Sequence, residues 1–295
     1  MDTEQELRRQ IGTVSDLRGI VRTMKSLAAV NARQYAKVLD SLREYERSVE
    51  LGFQVALRGM NPGLRPQRPA PPSRLGAVIL GSDVGLCGHF NEELVARAIA
   101  DMNALASVPA AGRRILAVGA RVQAGLADQR QPVETTLATP SSPTGLAPTI
   151  ERILEHLDAW REESVATVLL FHSPSGSPRM TRLLPVDLRQ FSRLARTPWP
   201  NRTLPQAPLG SERLLPALIR QHLYITLYRT CVESLVAEQQ LRLQAMQAAE
   251  KNIQDRLEAL VFEAQNLRQS TIDAELLDIG AGFEAVTGGG HAKTG

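Results

Sequence analysis

Mostly apolar residues recur at steps of three and four through both ends of the chain, alternating but for a three-three step at Ile11, Val14 and Leu17. At the amino-terminal end the series runs Leu7, Ile11, Val14, Leu17, Val21, Met24, Ala28, Asn31, Tyr35, Val38, Leu42, Tyr45, Val49, Gly52 and Ala56, with no proline before Pro62. Across residues 212–286 the pattern returns in Leu214, Leu218, Ile225, Tyr228, Val232, Leu235, Met246, Ala249, Ile253, Leu257, Leu260, Ala264 and Leu267. Only Pro216 falls within it, near the start, where a first helical turn tolerates proline. Such spacing predicts two long helices with a coiled-coil seam. At 1.5 Å per residue, each is on the order of 75–110 Å long. Because they flank a single insert, an antiparallel pair closes the chain most simply. Met24 to Tyr45 are then expected to face residues 235–267. Polar seam positions Asn31, Gln239 and Arg242 are expected to fix the register. Glu44, Glu46, Glu233 and Glu238 are spaced as solvent-facing or interhelical salt-bridge positions.

Between the helices the pattern changes. Five prolines in residues 61–73 make a semi-rigid connector. The apolar run 75–80 predicts a buried strand, followed by the glycine-rich turn Gly81-Ser82-Asp83-Val84-Gly85-Leu86-Cys87-Gly88. Residues 91–105 read as a helix with Asn91 as its N-cap. Further strands are expected at 115–119, 165–171 and 181–186, with helices at 120–127 and 148–162. Residues 132–148 and 198–208 are expected to be loops. Strands alternating with helices predict a small, doubly wound, Rossmann-like α/β domain inserted between the two helices. The expected division is a coiled-coil helix over 1–60, the α/β domain over 74–208, a second coiled-coil helix over 209–286 and a flexible tail over 287–295.

The last helix is expected to outrun the first by about 20 residues, taking the rise per residue as equal. Its far end, 263–286, carries Leu267, Ile272, Leu276, Leu277, Ile279 and Phe283 on several faces. A projecting helix that is apolar all round must be enclosed by another protein.

Composition supports a shaft more than an enzyme. Hydrophobic residues make up 43% of the chain but aromatics only 4%, which suits seams filled by Leu, Ala, Ile, Val and Met. The formal charge of +3 is spread over 34 basic and 31 acidic residues, without the concentrated patch that nucleic acid requires. Cys87 and Cys231 form no motif and read as free thiols in a reducing compartment. No apolar run reaches bilayer length and the acidic amino terminus has no targeting character, so a cytoplasmic, bacterial protein is expected. The glycine turn lacks the Gly-Lys-Ser/Thr ending of a phosphate loop and the spacing of a dinucleotide fingerprint. His89, His156, His172, His222 and His291 show no metal-ligand spacing. The serine-rich stretch 173–178 is not a nucleophile elbow. No catalytic, cofactor or metal residue is assigned.

The residues themselves resemble one family. Leu214-Leu215-Pro216-Ala217-Leu218, Tyr224-Ile225-Thr226-Leu227-Tyr228, Glu233-Ser234, Glu238, Arg242 and Ala245-Met246, then Arg268-Gln269, Ile272, Glu275-Leu276 and Ile279, resemble the carboxy-terminal run of the gamma-subunit family of F-type ATP synthases. Ile11, Val14, Ile20, Met24-Lys25 and Ala28-Ala29 resemble its opening helix, and Ser82-Asp83, Gly85-Leu86-Cys87-Gly88 and Asn91 its first loop. The resemblance spans nearly the whole chain in order. Val84 stands for a usual Arg, Gly19 for Lys, Gln239 for His and Asp273 for Thr, which suggests a divergent bacterial member such as one from a second, sodium-type synthase operon. The resemblance implies a rotor shaft without an active site, cofactor or metal of its own. It would couple ion flow through the membrane ring to ATP synthesis or hydrolysis on three alpha and three beta subunits. The epsilon subunit and the c-ring would be its other partners, with no nucleic acid and no direct membrane insertion. Met24, Lys25, Arg242, Arg268, Gln269 and Asp273 are expected to contact the alpha/beta hexamer. The alternatives are a coiled-coil scaffold or adaptor outside any ATPase, and a Rossmann-like enzyme with a ligand at the Gly85 loop.

Overall fold

The structure is a computed structural model that describes residues 2–58, 74–105, 109–191, 198–199 and 211–288. The expected proline-rich connector, most of the 198–208 loop and residues 289–295 of the expected tail lie outside these. The elements are α1 (Asp2–Arg58), β1 (Leu75–Leu80), α2 (Phe90–Ala104), β2 (Arg113–Val118), α3 (Ala120–Asp128), β3 (Thr135–Leu137), α4 (Leu146–Glu162), β4 (Thr167–His172), β5 (Arg179–Leu184) and α5 (Ser211–Gly288). The long helices contain 57 and 78 residues, so the expected inequality is present. Pro216 lies in the second turn of α5, one turn later than the sequence suggested. There it leaves the carbonyl of residue 212 without its helical donor. The chain divides into two compact units, residues 1–26 with 245–295, and residues 27–244.

The larger unit is built on a five-stranded sheet of order β3-β2-β1-β4-β5. The first four strands run parallel and β5 returns antiparallel to β4. β1 and β4 are buried along their full length, as parallel strands covered on both faces must be. Leu75, Ala77 and Ile79 point to one face, where they meet Leu94, Ala98 and Met102 of α2 and Val122 and Leu126 of α3. Val78 and Leu80 point to the other, against Ile150, Ile153, Leu157 and Trp160 of α4 and Leu227, Val232 and Leu235 of α5. Gly76 lies under the Trp160 ring, 2.6 Å from where a Cβ would sit, so no larger residue fits. The indole N–H donates to Glu134 at 3.2 Å.

Within this unit α1 and α5 run antiparallel. The Tyr45 hydroxyl donates to Gln221 at 2.5 Å, Arg229 pairs with Glu46 at 3.4 Å, and Leu218 packs over Gly52. Tyr35 is buried and donates from its hydroxyl to the Pro140 carbonyl at 2.9 Å. Phe53 stacks on Phe191 at 4.1 Å, with His222 edge-on to both. In the smaller unit the helices are again antiparallel, tied by Arg18 to Gln254 at 2.8 Å and by Arg22 and Lys25 to Glu250.

The orientation expected from the sequence holds, but its register does not. Tyr45 meets Gln221 rather than a residue near 235, and Lys25 meets Glu250 rather than one near 267. The offset is about two heptads, and a seam that repeats every heptad scores alike at either register. Polar pairs outside the repeat decide between them.

Two local expectations are also corrected. Asn91 is not the N-cap of α2, because the helix begins at Phe90 after His89. Its amide turns back to the glycine turn, accepting from the Ser82 N–H at 3.0 Å and donating to Ser82 Oγ at 2.8 Å. The stretch expected to be a loop, 132–148, holds β3, which adds an edge strand beside β2.

Candidate functional site

In a doubly wound sheet, ligands bind in the crevice at the carboxyl ends of the strands where the strand order reverses. Here that point lies between β1 and β4, beside Gly81-Ser82 and His172-Ser173. The crevice is filled by α5. Ser234 Oγ donates to the Leu80 carbonyl at 3.2 Å, at the very end of β1. Arg242 donates to the Val84 carbonyl at 2.7 Å and to the Gly85 carbonyl at 3.3 Å. Leu241 packs against Gly176 in the turn after β4. Cys87 and Phe90 are buried together with Ala237.

The glycine turn itself is occupied by its own side chains. The Asp83 carboxylate accepts from the Ala120 N–H at 2.8 Å, capping α3, and from the Thr139 N–H and hydroxyl at 2.8 and 2.7 Å. Gly119 at φ 110° admits this approach, since a Cβ there would meet the Ser82 backbone at 2.6 Å. The first turn of α2 carries Glu92 and Glu93, whose charges would repel a phosphate. Among the described residues no group of three or more His, Cys, Asp and Glu is arranged to hold a metal.

Glu238, expected to face solvent or a partner helix, is buried at 4% exposure and paired with Arg242 at 2.6 Å. Burial raises its carboxyl above the usual range even beside that guanidinium. Arg242 is itself 7% exposed, its donors directed inside the fold. At the end of β4, His172 Nδ1 and Ser173 Oγ are buried without a hydrogen-bond partner, and Glu233 stands 3.9 Å from that nitrogen. Burial, reinforced by Arg179 and Arg229, lowers the His172 pKa to about 4, so the ring is neutral.

The other expected contact residues lie in the smaller unit. Met24 is half-buried, and Lys25 bonds with Arg22 to Glu250, whose carboxyl those two donors hold below its usual range. Met246, Leu257 and Leu260 are buried between the helices. A groove of about 420 Å³ follows, lined by Ile11, Arg18, Leu257, Val261 and Phe262 among others. Beyond Leu267 every described side chain is exposed: Arg268, Gln269 and Asp273 line a bare helix with Ile272, Leu276, Leu277 and Ile279, the last three 61–75% exposed. Phe283 is outside the residues whose side chains are described. The projecting apolar end is therefore as the sequence suggested. The stripe Ser234–Glu238–Arg242 was missed as an internal device, although its spacing of four places all three on one helix face.

The family model described as ATP synthase matches residues 3–286. A relative named ATP synthase gamma chain from Nitratiruptor sp. is 23% identical over 294 residues, covering 96% of this chain and 98% of that protein. One of the same name from Polynucleobacter necessarius is 25% identical over 301 residues, covering 97% and 100%. Among solved structures, a chain of the Euglena gracilis mitochondrial ATP synthase (OSCP/F1/c-ring, rotational state 3) shares the fold with a TM-score of 0.66 at 15% identity, covering 100% of this chain and 99% of that one. A chain of the central stalk and c-ring of the Tetrahymena thermophila enzyme gives 0.55 at 20% identity over 78% of this chain. With a family match across nearly its full length, two antiparallel end helices and a closed α/β insert, the chain belongs to the gamma-chain family of the ATP synthases.

Proposed function

We propose that this chain is the central rotor shaft of an F-type ATP synthase, coupling ion flow through a membrane c-ring to ATP synthesis or hydrolysis on three alpha and three beta subunits. The observation that carries the reading is the bare end of α5, whose Leu276, Leu277 and Ile279 need a sleeve that the described residues do not supply. The shaft is non-catalytic in this reading, since α5 fills the crevice where a ligand would bind. Rotation acts by differential contact: each catalytic site meets a different face of the shaft and so favours a different pre-existing state. The α/β domain, 74–208, forms the foot beside an epsilon subunit and the c-ring. The complex sits on the cytoplasmic face of a bacterial inner membrane, with this chain peripheral; among the described residues no helix is long and apolar enough to cross a membrane.

Met24, Lys25, Arg268, Gln269 and Asp273 are the residues we assign to contact with the enclosing subunits. We assign Arg242 to holding the crevice closed instead, because its Nε and Nη2 already donate to the Val84 and Gly85 carbonyls and to Glu238. Affinity purification through a tag on this chain should bring down alpha and beta subunits with ATPase activity. The purified chain alone should show no ATP binding by calorimetry at micromolar nucleotide. Isolation without alpha and beta would favour an adaptor, and micromolar ATP binding by the chain alone would favour an enzyme.

A further inference from the structure

The geometry points to a further role for Ser234, Glu238 and Arg242: together they lock α5 against slip on the α/β domain under load, with Arg242 as the positioning residue. The inference rests on the rotor reading above. Residues four apart share one helix face, so the three side chains form a single polar stripe. Their acceptors are main-chain carbonyls: Leu80 for Ser234 at 3.2 Å, and Val84 and Gly85 for Arg242 at 2.7 and 3.3 Å. The rest of this contact is chiefly apolar, through Leu227, Val232 and Leu235; Arg220 also pairs with Asp158 of α4 at 2.7 Å, but that pair is exposed and screened by solvent. Apolar contact is non-directional, and a helix can turn or slide on it with modest repacking. A hydrogen bond to a fixed carbonyl is directional. Once broken in a buried setting, it leaves donor and acceptor without water to replace it.

A buried ion pair is poor evidence for stability, and its best-attested use is to fix register. Glu238 fits that use, since its carboxylate fixes the guanidinium at 2.6 Å and so aims it at the loop. The loop is a firm anchor. Asp83 ties it to α3 and Thr139, Ser82 Oγ donates to the Val84 carbonyl at 3.0 Å, and Leu86 is held at φ 62°. The buried, directional part of any force along α5 therefore reaches the sheet through one carbonyl at the end of β1 and two in the turn after it.

The test uses the whole complex, purified through this chain, with ATP-driven rotation followed under increasing viscous load and ion pumping measured in vesicles. The double variant Glu238→Gln/Arg242→Met removes the pair without leaving a lone buried charge. Arg242→Lys keeps the charge and one set of donors, and Ser234→Ala removes only the first contact. Without load, the variants should hydrolyse ATP at the parental rate. Under high load the double variant should slip roughly tenfold more often, the scale set by losing one charged hydrogen bond. Arg242→Lys should recover part of that loss. Parental behaviour at every load, or impairment that does not change with load, would overturn the inference and leave the stripe a stabilising feature only. Where the double variant fails to assemble, Ser234→Ala decides: slip at lower load supports the lock, and parental behaviour overturns it. Absence of ATP-driven rotation in the parental complex would instead defeat the rotor reading.

Discussion

Asp83 shows how much one side chain settles in this chain. Its carboxylate satisfies the first amide of α3 and both donors of Thr139, so it joins the glycine turn to the two segments beside it. Asp83→Ala should lower stability by about 2 kcal/mol, in line with a lost helix cap, and Asp83→Asn by less; urea unfolding of the purified chain measures both. His172 gives a second residue-scale expectation. Its pKa falls from 6.5 in the unfolded chain to about 4 in the fold, chiefly through burial. The unfolded state therefore binds the extra proton between those values, and stability drops as pH falls from 6.5 toward 4, by up to roughly 3 kcal/mol. Glu233 does not reverse this, since 3.9 Å is long for a pair and its own carboxyl is raised by burial. Thermal midpoints across that range should show the slope in the parental chain and a flatter line in His172→Gln.

At the scale of elements, the helix pair makes a prediction about register. Cysteines at positions 45 and 221 should crosslink, as should cysteines at 22 and 250, whereas a 24/267 pair should not. A 24/267 bond would restore the register read from the seam. Much of the fold was legible in the chain because its signals are local. The apolar runs of β1, β2 and β4 are bounded by glycine or loop residues, and the seams of α1 and α5 repeat over many turns. β3 was hidden because Thr135-Thr136-Leu137 is too short to show alternation and is a strand only because β2 lies beside it. The register was hidden because heptads repeat. The bare end of α5 could be foreseen from helix lengths and composition. The filled crevice could not, since Ser234 and Leu80 are 154 residues apart and nothing near either announces the other.

At the scale of the whole molecule, the proposed contacts predict a division between folding and function. Arg268 is exposed and has no ion-pair partner among the described residues, so Arg268→Ala should leave the unfolding midpoint of the chain unchanged. In the complex, each well-made bond from such a guanidinium to a carboxylate is worth roughly 1.5–3 kcal/mol, and coupled ATP synthesis should fall clearly. Synthesis at the parental rate would remove Arg268 from the contact set.

The closure of the crevice by α5 also bears on how the insert stays folded. Segment 234–242 stands where other sheets of this topology hold a freely diffusing ligand. It behaves as a tethered ligand, present at an effective concentration fixed by chain connectivity rather than by supply. Dilution cannot empty the site, and no metabolite level can tune its occupancy. Cutting the chain ahead of α5 would turn the same contact into a two-body equilibrium with a measurable Kd, in which the domain would compete for its own helix.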